Sequence, residues 1–280
     1  MAKKDKLIVA VSGGIDSVVL LDMLVRAGKH NIIVAHIDHG IRPESAEDAR
    51  FVRGLAQKYS CQFEIIELGL GSIASEDLAR QKRYQFLFQL SKKHDAKIVT
   101  GHYCDDVIGS VAINLHRGTG WRGLAVMNRA GIVRPLLSKT KAAIYNYALK
   151  NRLEWVEDKT NSSPKYLRNR LRASTINLPK TNIKKLTDLR DEQVKIAAGI
   201  NSEAMQLAAI FGNNRYPFAM INSRAAKEIL RVRFPHLEPA ALERALLAIK
   251  TARPGTQHEM SKNMTLTFTR TSFVAQDPHQ

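Results

Sequence analysis

Residues 7–11 are continuously apolar and rich in β-branched side chains, the pattern of a buried strand. After a polar break at residues 12–17, Val18, Leu20, Leu21, Leu24 and Val25 recur at helical spacing. The alternation continues along the chain. Residues 31–37 read as a second strand, 44–59 as a helix with Ala49, Val52, Leu55 and Ala56 on its inward stripe, and 62–68 as a third strand. A long helix is predicted over 75–94, a fourth strand over 96–100, and a helix through 107–115 that contains Gly109. A glycine inside a helix costs roughly 1 kcal/mol relative to alanine, so either something offsets it or the helix is interrupted. Strands alternating with helices predict an α/β fold with a doubly wound, mostly parallel sheet, whose ligands sit beyond the carboxyl ends of the strands.

The pattern changes in the last third. A helix over 139–151 is followed by a long connecting helix over 186–210, broken at Gly212-Asn213-Asn214. Two amphipathic helices follow at 224–233 and 239–250, with Leu230, Val232, Leu242, Leu246 and Ile249 as core. Residues 264–268 alternate as a strand, and 272–275 could pair with them. This predicts a small, mainly helical domain with a terminal hairpin and a disordered tail at 276–280.

Composition narrows the class. No apolar run reaches the ~18 to 20 residues of a membrane span, and residues 1–6 lack the apolar stretch of a signal peptide, so a cytoplasmic protein is expected. The two cysteines, Cys61 and Cys104, are too few and too far apart for a disulfide framework, a zinc ribbon or a cluster site, and read as buried or half-buried side chains. Forty-three Lys and Arg against 26 Asp and Glu leave a net charge of +17, which calls for a polyanionic partner. Nucleic acid is the first candidate. An anionic membrane is the second, but no basic amphipathic helix with exposed aromatics supports it.

The chemistry centres on Ser12, Gly13, Gly14, Ile15, Asp16 and Ser17. Two glycines allow a tight turn with exposed amides, and the helix that follows presents its positive end, so the loop favours a phosphate. The Ser12 and Ser17 hydroxyls could donate to the same anion, and Asp16 could hold a magnesium ion bridging phosphate oxygens. The bland alternative is an ordinary turn with a Ser or Asp cap. His36, Asp38, His39 and Arg42 follow the second strand, and Asp105 and Asp106 the fourth, all at the expected ligand edge. For each singly, a structural histidine, a loop ion pair or a helix cap is the competing account. Arg80 and Arg83 share a helix face, ordinarily a solvated one. Residues 116–127, with three glycines and two arginines, read as a mobile or anion-contacting loop.

The string SGGIDS lacks the lysine of the GxxxxGK loop and resembles the pyrophosphate loop of the ATP pyrophosphatases, which cleave ATP between the α and β phosphates and adenylate a carbonyl oxygen. Further strings occur in order: HIDHGIRPES, the Ala79-Arg80 and Arg83-Tyr84 pairs, TGHYCDD, RGTGWRGL, RPLL and WVEDKTNSSPKYLRNRLR at 155–172. Together they resemble the tRNA(Ile)-lysidine synthetase family, over about three fifths of the chain, and more closely its shorter members.

The resemblance implies ATP and magnesium as cofactors, and as partners a tRNA(Ile) with a CAU anticodon and free L-lysine, and it makes a homodimer plausible. It assigns Ser12, Gly13, Gly14, Ile15, Asp16 and Ser17 to the ATP loop, with Asp16 also at the metal, and Ala35, His36 and Asp38 to the adenosine side. Asp106 would face the incoming amine beside Asp105. Arg117 would act at the reaction centre, with His39, Arg42, Arg122, Arg168, Asn169 and Arg172 toward substrate or tRNA. With the resemblance covering about residues 7–172 and the pattern read beyond it, a catalytic domain is expected over 1–180, a helical linker over 181–212 and a small helical tRNA-binding domain over 213–280. Ten Lys or Arg against four Asp or Glu over 158–195 suit contact with an RNA backbone, a merely solvated helix face being the alternative.

One position departs from the family pattern. An acidic residue usually stands three positions after the second aspartate, on the same helix face, and here that position is Gly109. Either a carboxylate from elsewhere replaces it, or the amine differs, or the site is impaired, ranked in that order because every other string is retained. Among rivals, a tRNA thiolase would carry paired cysteines, and GMP or NAD synthetase-like amide transfer fits poorly with the basic charge. A catalytically idle tRNA-binding homologue is the alternative from another class.

Overall fold

The computed structural model of the chain describes residues 6–38, 40, 45–69, 76–157, 180–262 and 264–276. The chain opens with β1 (Leu7–Ala10), α1 (Ile15–Arg26), β2 (Ile32–Asp38), α2 (Ser45–Lys58) and β3 (Gln62–Glu67). It continues through α3 (Glu76–His94), β4 (Lys97–Thr100), α4 (Cys104–His116), a 3-10 turn at Trp121–Leu124, β5 (Ile132–Val133) and α5 (Lys141–Lys150). The five strands form one parallel sheet in the order β3-β2-β1-β4-β5.

The central strand shows why the apolar run is unbroken. Leu7, Val9 and Val11 pack on one face against α1, α2 and α5, while Ile8 packs on the other against Tyr84, Leu87 and Leu90 of α3. In the register, Ala10 lies between Ala35 of β2 and Thr100 of β4. The chain steps outward from β1 to β2 and β3, then returns to the other side of β1 as β4. That reversal opens a crevice beyond the carboxyl ends of β1 and β4.

Helix α1, which starts at this crevice, is fixed by the buried Asp22. Its carboxylate accepts hydrogen bonds from Arg26 Nε (2.7 Å), Tyr59 Oη (2.8 Å) and Tyr147 Oη (2.8 Å), joining α1 to the α2–β3 turn and to α5. Burial and the neighbouring Asp22 carboxylate push the Tyr147 hydroxyl up to about 12, and Tyr59 rises for the same reasons.

Several expectations need adjustment. On α2 it is Asp48 that is buried with Val52, Leu55 and Ala56, Ala49 being half-buried. Helix α4 runs without interruption through a buried Gly109. The two-residue β5 was not expected.

The chain divides into two units, Met1–Asp191 and Glu192–Gln280, and the division falls within α6 (Lys180–Phe211). The second unit contains α7 (Arg215–Met220), α8 (Ser223–Arg233), α9 (Pro239–Thr251), β6 (Gln257–Ser261), β7 (Met264–Phe268) and β8 (Phe273–Gln276). Its core is built on Phe218, Phe234, Phe268 and Phe273, with Leu230, Leu242, Leu246 and Ile249 buried as expected and Val232 partly so. The expected hairpin is part of a three-stranded antiparallel sheet, β6-β7-β8, in which the polar segment 257–261 supplies the extra strand. The tail expected to be disordered lies outside the described residues from 277 onward. Among the described residues, no helix is long and apolar enough to cross a membrane.

Candidate active site

The turn between β1 and α1 is held by its own serines. Ser17 Oγ donates to the Gly14 carbonyl (2.8 Å) and accepts from the Ser12 amide (3.2 Å), and the two hydroxyl oxygens lie 3.3 Å apart. Gly13 has φ +93°, a conformation that glycine adopts without penalty, and its carbonyl accepts from the Val156 amide at 3.0 Å. Residue 156 therefore brings the segment that opens the WVED string back onto the loop. Gly14 is the N-cap of α1 and has no side chain with which to cap it, and Ser12 Oγ accepts from the Gly14 amide at 3.4 Å. An uncapped helix start leaves donors for an anion. A Cβ at Gly14 would meet only Ser12 Oγ, at 3.6 Å, so the loop is open on that side.

On the β2 side, Ala35 and His36 are buried. His36 Nδ1 donates to the Val11 carbonyl at 2.8 Å, so this ring ties β2 to the end of β1, the structural role that competes with adenosine contact. Asp38 accepts from the Gly40 amide at 2.8 Å and shapes the loop that follows. His39, Arg42, Arg168, Asn169 and Arg172 lie outside the described residues.

On the β4 side, Gly101 brings two strand ends together. A Cβ there would stand 3.1 Å from the Asp16 carbonyl carbon and oxygen and 3.2 Å from the Ser17 nitrogen. Sequence alone does not single out this glycine, because its constraint comes from a loop distant in the chain. Asp106 accepts from the Tyr103 amide at 3.0 Å in a capping box, and Asp105 accepts from Cys104 Sγ at 3.1 Å. Burial and Asp105 push the Cys104 thiol up to about 12, which favours its protonated form.

His102 pairs with Thr100 Oγ1 at 2.8 Å. Burial pushes its ring down to about 4. The Asp106 carboxylate opposes that shift, and the charges of Arg134, Arg83 and Arg80 reinforce it. His102 is therefore a neutral imidazole at pH 7. Arg80 and Arg83, expected on a solvated face, are instead half-buried against Tyr84 and within electrostatic range of His102.

The two remaining arginines fall elsewhere. Arg117 is exposed at the C-cap of α4, about 16 Å along the helix axis from Asp106 at 1.5 Å per residue. Arg122 stacks over Trp121, 4.7 Å from the ring centroid, in a loop fastened by Asn114 Nδ2 donating to the Gly123 carbonyl at 2.7 Å. The structure thus gathers the residue 12–17 loop, Ala35 and His36, and Asp105 and Asp106 around adjacent strand ends, and leaves Arg117 at the opposite end of α4.

A profile described as the PP-loop domain matches residues 1–178. The chain belongs to the PP-loop domain family. It is 39% identical over 186 residues to the tRNA(Ile)-lysidine synthase of Thermosipho africanus, covering 62% of this chain and 44% of that protein. To the tRNA(Ile)-lysidine synthase of Thermus thermophilus it is 40% identical over 180 residues, covering 61% of this chain and 35% of that protein. The aligned stretch thus spans less than half the length of these relatives. The PP-loop fold is also similar to that of the U34-tRNA thiolase NcsA from Methanococcus maripaludis, with a TM-score of 0.57 and 19% identity over 69% of this chain and 72% of that one.

Proposed function

We propose that this PP-loop protein is an ATP-dependent, cytoplasmic ligase that converts the wobble cytidine of tRNA(Ile) with a CAU anticodon to lysidine, using free L-lysine. The observation that carries this reading is identity of 39 and 40% to two proteins of that name over about 60% of the chain. The geometry agrees with it. An uncapped helix start, an open glycine turn and an acidic pair one strand away offer a phosphate site beside an amine site.

ATP would lie with its phosphates on the residue 12–17 loop and its adenosine toward β2. The cytosine C2 carbonyl oxygen attacks the α-phosphorus, and the bond to pyrophosphate breaks. The ε-amine of lysine then attacks C2 and forms the C–N bond, AMP leaves with the former carbonyl oxygen, and the nitrogen loses its proton. The helix start and its amides stabilise charge on the phosphates. Asp106 would orient the ammonium and receive a proton from it.

The donor set at the loop, a carboxylate and hydroxyls, suits magnesium, which usually takes one or two carboxylates together with substrate phosphates. Among the described residues no cluster of three His, Cys, Asp or Glu could hold a metal by itself, and Asp16 is the residue that would hold magnesium here. When bound, the ion supplies charge neutralisation at the phosphates. The net charge of +17 suits tRNA as partner. Arg117, expected at the reaction centre, is exposed at the C-cap of α4 and stands in this proposal as a tRNA contact instead, with His39, Arg42, Arg122, Arg168, Asn169 and Arg172 toward substrate or tRNA.

Gly109 favours one second reading, an amine other than lysine on the same adenylate. Labelled lysine supplied with ATP, magnesium and an unmodified tRNA(Ile) transcript tests the first. Incorporation into that tRNA and not into a methionine tRNA is expected. Adenylation of the tRNA without lysine transfer would favour the other amine, and neither product would favour an idle binding protein.

A further inference from the structure

Between Asp106 and Glu154 the chain has no acidic residue, and residues 107–153 carry eight Lys or Arg. The end of α4 brings part of that charge to the surface together with an aromatic ring. Leu115, His116, Arg117 and Gly118 are exposed, and Trp121 is 36% exposed. The guanidinium carbon of Arg122 lies 4.7 Å from the centre of the Trp121 ring, so a cation and an indole are already stacked. A large aromatic left in water among cations, in a segment without a carboxylate, suits a partner that is both flat and anionic.

The loop that presents this pair is held by its own backbone. Asn114 fastens it at both ends: its carbonyl accepts from the Thr119 amide at 3.1 Å, and its Nδ2 donates to the Gly123 carbonyl at 2.7 Å. The Gly123 amide donates to the Gly120 carbonyl at 2.9 Å and closes the turn that carries Trp121. Thr119 packs so closely on Gly123 that a Cβ there would collide with its side chain. Gly118 supplies the positive φ, +69°, with which the chain leaves α4. A ring fixed in this way loses little freedom when a partner stacks on it, and such preorganisation favours binding.

The occupant that fits this chemistry is an unpaired nucleobase. RNA loops splay their bases onto aromatic rings and guanidinium planes, and their phosphates are drawn to cations such as the exposed Arg117. A membrane would call for a broader apolar face, and a duplex has no free base along its length. Asn114 lies eight residues beyond Asp106, about 12 Å along α4, which is about the length of three or four stacked nucleotides. The base on Trp121 is therefore not the one beside Asp106 but a neighbour in the same single strand. We propose that Trp121 and Arg122 form a stacking platform for one unpaired base of the RNA substrate, a few nucleotides from the base that reacts. This rests on the reading of the chain as an enzyme of the anticodon loop. Arg117 then falls beside the same stretch of RNA backbone.

Indole fluorescence reads the platform directly. The protein has two tryptophans, and Trp155 is half-buried and edge-on to Tyr145 at 5.8 Å, so the signal lost in Trp121→Phe belongs to Trp121. Titrating the full chain with a tRNA(Ile) transcript bearing a CAU anticodon should quench that part of the signal, and a blunt RNA duplex should not. Trp121→Leu, which keeps an apolar side chain but no ring, should raise Kd for the transcript about tenfold, while Trp121→Phe keeps most of the affinity. In transcripts that each carry one abasic site in the anticodon loop, one site other than the wobble position should cost the full chain about tenfold and cost Trp121→Leu nothing further. Equal quenching by the duplex, or by ATP alone, overturns the platform, and so does a Trp121→Leu protein that binds every transcript as the parent does. A loss in Trp121→Leu that no abasic site reproduces also overturns it, making Trp121 a support of the loop and not a contact. None of these readings needs transfer of an amine. Quenching with the expected abasic pattern but without lysidine upholds the platform and refutes the ligase reading, whereas lysidine formation without quenching does the reverse.

Discussion

Replacing Gly101 with alanine is the most direct probe of how the residue 12–17 loop is positioned. The new Cβ would lie 3.1 Å from backbone atoms of Asp16 and 3.2 Å from the Ser17 nitrogen, closer than ordinary contact. Those neighbours are backbone at the start of α1, and α1 is pinned by Asp22 to Tyr59 and Tyr147, so the strain falls on the loop. Overpacking of this kind costs about 1–3 kcal/mol. If half of about 3 kcal/mol is expressed as displacement of the phosphate-binding amides, kcat/KM for ATP falls about tenfold. Gly54, exposed on α2 with nothing within 4 Å of where an added methyl would stand, is the control. Gly54→Ala should stabilise the protein by about 1 kcal/mol and leave ATP kinetics unchanged. Urea unfolding and ATP-dependent AMP release, measured on both variants, check this. A Gly101→Ala protein with unchanged stability and unchanged ATP kinetics would refute the close approach of β4 to the loop.

Other outcomes follow from the same structure. Asp22→Ala leaves two tyrosine hydroxyls without their acceptor and should destabilise by about 3 kcal/mol, against about 1 kcal/mol for Tyr147→Phe, as read by urea unfolding. Because His102 is neutral in the folded state down to about pH 4 but takes a proton near 6.5 when unfolded, its contribution is full above 6.5 and is lost as pH falls toward 4. The loss amounts to up to about 3 kcal/mol, and the stability of His102→Gln, compared at pH 7 and pH 4.5, should fall less than that of the parent. Gly14→Ala should fold normally, since its methyl meets only Ser12 Oγ at 3.6 Å, yet weaken ATP binding in a nucleotide titration.

Much of the first unit was legible in the sequence because its signals are local. The apolar run at 7–11, the glycine turn and the helical repeat from Val18 each lie within a few residues of one another, and each maps onto β1, the loop and α1. What was not legible depends on contacts between distant segments. Nothing near Gly101 announces that Asp16 passes within 3.1 Å of where its Cβ would be, nor does anything near Val156 announce its hydrogen bond to Gly13. Helical spacing put Arg80 and Arg83 on one face but could not say that the face is covered. Strand β6 was missed because Gln257, His258 and Glu259 are exposed and polar, and the register shifts between Glu259 and Ser261. Strand β5 has only two residues and leaves no period to read.

The central claim, that this PP-loop protein makes lysidine, is tested most directly by nucleoside analysis of a tRNA(Ile) transcript with a CAU anticodon after incubation with the protein, ATP, magnesium and L-lysine. The account predicts that the wobble cytidine gains one lysine less one water, with AMP and pyrophosphate released in equal amounts, and that Asp16→Ala abolishes the product. An unmodified wobble cytidine in the presence of bound tRNA would contradict it.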